Sequence, residues 1–375
     1  MMNTETHTMA GDYVLKSDYS DYRPSGYPVR HRRKVPFYPM LSLDMDMRRM
    51  MSEIRRLDDT LGGFILSERD YMELILDEYS SNIHWSTKIE GNRMSFEEVR
   101  TLATEFTAGP IEEEPNGPRQ EILNHLGVLF RDMMSMPWSL DTVRGVHASL
   151  MEGVGQTVPG RLRDTEVSVR GSDGTEYFIA CPSGSVEEEL TSLVDWVNNS
   201  PFGEIVTATL FFHEFESIHP FADGNGRTGR VLFQSLLGQL GLENCGLCRF
   251  EESMLKDTGT YYSLLAYTDQ TGNYTPLVRY VTESVLSAYR DAVEVFSEKD
   301  RLKDMDENMR HLARMAKEKK SFSLKDASHW ISLGSVALRN DMDELVEMGV
   351  LGKEGKTRAL RYVFLDPFRD IQNRQ

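Results

Sequence analysis

The run Ile218-His219-Pro220-Phe221-Ala222-Asp223-Gly224-Asn225-Gly226-Arg227-Thr228-Gly229-Arg230 places an imidazole, a carboxylate, two turn glycines and two guanidinium groups within one loop and its flanks. These types together suit a triphosphate. Glycines let backbone approach an anion, and the first N–H groups of a helix present unpaired donors and the positive end of its dipole. Arg227 and Arg230, three apart, share one helical face and can grip phosphate oxygens in fork geometry. Asp223 is a hard oxygen ligand suited to Mg²⁺, the ion ATP carries. His219 is the side chain here whose ordinary pKa is near neutral, so it is the natural general base.

The elements around this run must position it. Ile205, Ala208, Phe211, Phe212 and Phe215 recur at spacings of three and four, so Glu204 to Ile218 is predicted to be helical. Pro220 stops that helix, because the residue before a proline avoids the α region. Val231, Leu232, Leu236, Leu237 and Leu240 resume the helical period. The motif therefore reads as helix, tight loop, helix N-terminus.

At this point the run resembles the Fic family signature H-P-F-x-D/E-G-N-G-R-x-x-R, which it matches at every specified position. The resemblance implies a mainly α fold, a Fic-type helical core with a β-hairpin flap, and transfer of AMP from ATP to a Ser, Thr or Tyr hydroxyl of a protein, this one included. By that likeness His219 would deprotonate the hydroxyl and Asp223 would hold Mg²⁺. The nucleotide would lie on Gly224, Asn225, Gly226, Arg227, Thr228, Gly229 and Arg230. In-line displacement at phosphorus asks for positioning, charge neutralisation and a base. Gly226 replaces the lysine of phosphotransferase relatives, which disfavours plain phosphorylation. Another nucleotide donor, or removal of AMP, stays open.

Upstream, Ser86-Thr87-Lys88-Ile89-Glu90-Gly91-Asn92 resembles the inhibitory motif of the N-terminally inhibited Fic class. The resemblance implies that Glu90 pairs with Arg230 and blocks the γ-phosphate position, with Ser86 in the same motif. A carboxylate and a phosphate compete for one guanidinium fork. Glu121 and Asn124 resemble the family's E-x-x-N segment, and His147 and His213 read as helix-packing histidines. Thr165 to Pro182, with Val167, Val169, Tyr177 and Ile179 about a Gly171-Ser172-Asp173-Gly174 turn, reads as a β-hairpin whose open edge could pair with an extended peptide. Tyr262, in a segment like the family's adenine-side closure, is the expected base contact. Ser185 with Glu188, like Ser95 with Glu98, reads as a capping box opening a helix.

Length and charge set the frame. The chain has 375 residues and a net charge of −17, which argues against general affinity for nucleic acid or anionic membranes. Cys181, Cys245 and Cys248 are an odd count, and the C-x-x-C at 245–248 lacks a partner pair, so it reads as buried thiols rather than a zinc site. With no apolar run near the ~20 residues of a membrane span and no signal-like N-terminus, a cytoplasmic protein is expected.

Four regions are expected: a flexible arm over 1–36, including the basic run at 30–34; a helical region over 37–130 carrying the inhibitory helix; the catalytic core over 131–297; and 298–375. In the last, an exposed charged helix from Glu298 to Lys320 should lead into a winged helix-turn-helix domain. Its second helix holds Asp341, Asp343, Glu344 and Glu347 beside Arg339, so protein interaction or oligomerisation is preferred to DNA binding. A DNA-binding regulator with a nucleotide-sensing core is the alternative of another class, its basic groups being Lys353, Lys356, Arg358 and Arg361.

Overall fold

The computed structural model describes residues 17–32, 35–109, 111, 117–131, 137–155, 157–170, 174–355 and 360–365. In chain order, strand β1 (Val29–Arg30) precedes helices α1 (Met45–Gly63), α2 (Glu68–Lys88), α3 (Phe96–Ala108), α4 (Gly117–Leu129) and α5 (Leu140–Met151). Strands β2 (Ser168–Arg170) and β3 (Glu176–Ile179) follow, then α6 (Val186–Asn198), α7 (Glu204–Ile218), α8 (Asn225–Gln239), α9 (Phe250–Leu255), α10 (Thr258–Thr271) and α11 (Thr275–Glu298). The chain closes with α12 (Glu307–Lys319), β4 (Ser321–Phe322), α13 (Leu324–Ala327), α14 (Ser335–Glu347), β5 (Leu351–Glu354) and β6 (Arg361–Phe364). Among the described residues the fold is mainly helical, with two small sheets.

Helices α7 and α8 are buried on nearly every face, which is why α7 is apolar all round rather than amphipathic. They lie in one continuous apolar core that takes Ile54, Leu57 and Leu61 from α1, Val143 and Leu150 from α5, and Leu277 to Phe296 from α11. The boundary expected at residue 130 is therefore not a boundary of the core. A second cluster joins Ile75 and Ile83 of α2 to Val99 and Leu102 of α3 and to Ile122 and Leu126 of α4. It fixes α2, whose C-terminal end carries Glu90. The caps at Ser67 and Ser95 form as the sequence requires, the latter as a full capping box. Ser185 makes no side-chain cap, because a 3₁₀ turn over Ser183–Ser185 puts it in a helical conformation.

Two expectations are corrected here. The described part of the N-terminal segment is docked rather than loose: Tyr19 is buried and its hydroxyl donates to Glu283, the His31 side chain is buried, and β1 pairs in parallel with β3. Tyrosines that read as polar chain are aromatic anchors, Tyr19 lying edge-on to Tyr280 at 5.4 Å and Tyr22 to Tyr267 at 5.5 Å. Residues 1–16 and the basic Arg33-Lys34 fall outside the described residues. The Glu298–Lys320 stretch is not an exposed connector. It breaks after α11, and α12 buries Met309, Leu312, Ala313 and Ala316 in the core of the C-terminal unit. Lys317 donates to the carbonyl of Gly62, and the Arg301 N–H to that of Ile65, which seats this unit on the turn between α1 and α2.

Candidate active site

Helix α7 ends because Pro220 forbids another helical turn, and His219 takes a left-handed conformation, φ 52°, while its N–H still closes onto the Phe215 carbonyl. Its Nδ1 lies 3.2 Å from the Glu216 carbonyl, an acceptor, so Nδ1 carries the hydrogen and Nε2 keeps its lone pair. Burial pushes the ring's pKa below its ordinary value, with that hydrogen bond acting in the opposite direction. The imidazole is therefore held as a neutral base.

Arg163 fixes the backbone beneath it. This buried guanidinium donates to the carbonyls of His219 (2.7 Å), Ile218 (3.1 Å), Thr165 (2.7 Å) and Cys181, tying the stem of the β2–β3 hairpin to the base. Sequence reasoning passed over Arg163, although a lone arginine beside a predicted hairpin stem is the type that bundles carbonyls.

The loop is braced from within. The Phe221 N–H donates to Asn225 Oδ1 at 2.8 Å, and Asn225 Nδ2 donates to the Phe221 carbonyl at 2.9 Å. His147 stacks on Phe221 at 3.6 Å, its Nδ1 accepts from the Gly160 N–H, and its Nε2 lies 3.0 Å from the Asp223 carbonyl. Gly224, at φ 78°, makes the turn into α8 that a Cβ would obstruct against Met151. Asp223 Oδ1 accepts from the Gly224 N–H and from Arg227, while Oδ2 carries no hydrogen bond among the described residues.

Both arginines are engaged. Arg227 Nη1 donates to Glu121 Oε1 at 2.6 Å, and Nη2 to Asp223 at 3.0 Å. Arg230 donates through Nε to Ser86 Oγ and through Nη2 to the Ser86 carbonyl and Glu90 Oε1, each at 2.8 Å. Glu90 lies over the first turn of α8 so closely that a Cβ on Gly226 would overlap its carboxylate. Asn124 bridges the carbonyls of Leu150 and Glu152.

Several residues of the expected nucleotide set also have partners within the protein. The Asn225 amide makes both of the loop bonds to Phe221. Gly229 is a packing position, where a Cβ would meet Glu216 at 2.5 Å and Phe215 at 3.0 Å. Thr228 is fully buried. Tyr262 is half exposed and shares with His219, Tyr27, Tyr177 and Leu265 a cleft of about 420 Å³. Glu216, unforeseen, lines the same cleft. Burial pushes its carboxyl up to about 8, with Arg230 opposing and Glu90 reinforcing the shift. Its spacing of three from His219 on a helix was the available signal.

The open edge expected for the hairpin is only half open. β1 occupies the β3 edge, giving sheet order β1-β3-β2, so among the described residues the open edge is that of β2, and a register shift between Val169 and Arg170 interrupts its pairing with β3. The Gly171-Ser172-Asp173 part of the turn lies outside the described residues. Cys245 and Cys248 are buried thiols, as read. No helix among the described residues is long and apolar enough to cross a membrane.

Comparison with known proteins converges on this region. Residues 137–237 match the Fic/DOC family. The chain is 25% identical over 277 residues to a protein adenylyltransferase Fic of Nematostella vectensis, covering 66% of this chain and 60% of that protein. It is 35% identical over 91 residues to a probable protein adenylyltransferase of Aquifex aeolicus, covering 24% of this chain and 27% of the other. It spans about half the length of the animal relatives it matches. In fold it is similar to a Fic family protein from Desulfovibrio desulfuricans G20, with a TM-score of 0.59, 22% identity and coverage of 88% and 98% of the two chains. Residues 137–237 thus match the Fic/DOC family around His219, and the chain is distantly homologous to protein adenylyltransferases Fic.

Proposed function

We propose that this protein is an autoinhibited adenylyltransferase that moves AMP from ATP to a protein hydroxyl. The observation that carries the reading is the carboxylate of Glu90 on Arg230 above the N-terminus of α8, with the neutral base His219 close by. An anion sits where an anion belongs, and it comes from the protein itself.

In this reading the polyphosphate takes the place of Glu90 over the α8 N–H groups, and Arg230 and Arg227 bind its β/γ end. His219 Nε2 takes the proton of the incoming hydroxyl. A new O–P bond forms at the α-phosphorus, the bond to the α–β bridging oxygen breaks, and pyrophosphate leaves. Asp223, half exposed and with Oδ2 uncommitted, suits Mg²⁺, which takes one carboxylate and fills its shell with phosphate oxygens and water. When bound, Mg²⁺ supplies charge neutralisation to the phosphates. The nucleoside occupies the cleft of Tyr262 and Tyr27, and an extended target segment adds to the free β2 edge.

The order helix, strand, two helices and two strands over 307–364, with its own apolar core, supports a winged-helix reading of the C-terminal unit. Its basic groups are partly committed: Lys353 is bonded to Asp343 at 2.7 Å and Arg361 to Ser321. Lys356 and Arg358 lie outside the described residues. We therefore favour a protein partner or a second copy of this chain over DNA. Mass spectrometry of lysate treated with the Glu90→Gly protein and ATP tests the main reading. An added AMP on Ser, Thr or Tyr is expected, and an added phosphate would overturn it.

A further inference from the structure

His31 follows β1, Cys181 follows β3, and Glu189 lies on α6, yet the three meet in the interior. Their ligand-capable atoms all lie within 4.8 Å of one another, and all three side chains are almost wholly buried.

Hydrogen-bond accounting orients the ring. Ser217 has a single O–H, which donates to Asp269 Oδ1 at 2.6 Å, so the 2.8 Å contact of His31 Nδ1 with Ser217 Oγ is the ring donating to the hydroxyl. Nε2 is left pointing at Glu189 Oε2, 2.7 Å away, with Cys181 beside them. A histidine whose far nitrogen is held by a hydroxyl and carboxylate relay is the arrangement that fixes metal-ligating imidazoles.

We propose that His31 Nε2, Cys181 Sγ and Glu189 bind one divalent ion of the zinc type, closing a clamp between the N-terminal strand, the hairpin stem and α6. Imidazole, thiolate and carboxylate are the zinc donor set, and one thiolate with one carboxylate cancels the charge of the ion in a buried place. Tetrahedral zinc with bonds of about 2.0–2.3 Å holds its ligand atoms roughly 3.3–3.7 Å apart. The 2.7 Å contact must therefore open by about 1 Å or less. On binding, the thiol proton and the proton shared between His31 Nε2 and Glu189 Oε2 leave to solvent, the Sγ–metal bond forms, and Nε2 gives the freed lone pair to the ion; no redox change occurs. The site is separate from Asp223 and does not depend on the transfer reaction.

The test is titration of the chelator-stripped full chain with Co²⁺, read by thiolate-to-metal charge transfer in the near ultraviolet, and then by competition with Zn²⁺. One ion per chain is expected, with the band lost in Cys181→Ser and affinity at least tenfold weaker in Glu189→Gln. Zn²⁺ should raise the melting temperature of the wild type and not that of Cys181→Ser. The double variant Cys245→Ser/Cys248→Ser should keep the band, which decides the source even if Cys181→Ser fails to fold. Absence of the band at saturating Co²⁺, or its persistence in folded Cys181→Ser because Cys245 and Cys248 supply it, overturns the proposal.

Discussion

Glu90 Oε1 lies 2.8 Å from Arg230 Nη2, across 140 residues of chain, and Ser86 accepts from Nε and Nη2 of the same guanidinium. One motif thus holds one edge of the fork. Arg230 is buried whereas Glu90 is about one-third exposed, so the carboxylate is the partner free to leave. A buried pair is held more by the penalty of isolating either charge than by its net strength, so an incoming phosphate can replace Glu90 at little cost.

The base predicts a pH profile. Because burial lowers the His219 pKa, transfer by the Glu90→Gly protein should fall only at acid pH, with the midpoint of the limb below 6.5. His219→Ala should lose transfer at least a thousandfold while binding ATP within about threefold of wild type. A midpoint above about 7, or loss of ATP binding in His219→Ala, would reassign the residue.

Gly226 gives a steric prediction. A methyl group there overlaps the Glu90 carboxylate and stands 2.9 Å from Arg230 Nη1. Gly226→Ala should break the Glu90 contact yet fail to activate, because the methyl also blocks a phosphate. Combined with Glu90→Gly it should reduce transfer at least tenfold relative to Glu90→Gly alone. Full activity in the double variant would mean the anion does not sit over the first turn of α8.

Glu216 predicts a stability trend with a definite sign. Its folded pKa is raised from 4.5 to about 8, so between those values the folded chain holds a proton the unfolded chain has released. Stability from this group is complete below the unfolded pKa and is lost as pH rises through the folded one. Glu216→Gln should match the wild-type melting temperature near pH 5 and exceed it at about pH 8.5. Calorimetry showing the same difference at both pH values would contradict the buried neutral acid.

Arg163 should be required for folding more than for binding. Arg163→Leu leaves the carbonyls of Ile218, His219, Thr165 and Cys181 without their donor, at about 1–3 kcal/mol for each one that stays buried. A fall in melting temperature of roughly 5 °C or more is expected. A change within about 1 °C would show that water replaces the guanidinium.

How much of this was legible follows from what each feature depends on. The α7-loop-α8 motif and the Glu90 motif were readable because a proline, fixed glycines and charged residues at set spacings leave few conformations open. Helix bounds followed from apolar spacing and the proline stop, as at Glu204–Ile218. Residues 17–32 were misread because composition cannot reveal that Tyr19 meets Tyr280 or that β1 finds the β3 edge, both long-range contacts. The same limit hid the Arg163 bundle and the His31, Cys181 and Glu189 cluster. The loop bonds of Asn225 and the tight packing at Gly229 were hidden for a local reason: a motif names residues but not which face of the turn each one shows.

The most direct test of the account is incorporation of α-labelled AMP from ATP by the wild type and the Glu90→Gly protein side by side. Release of Arg230 predicts at least tenfold more label on protein from Glu90→Gly, and none when His219→Ala is added. Equal labelling by wild type and Glu90→Gly would contradict the claim that Glu90 closes the site.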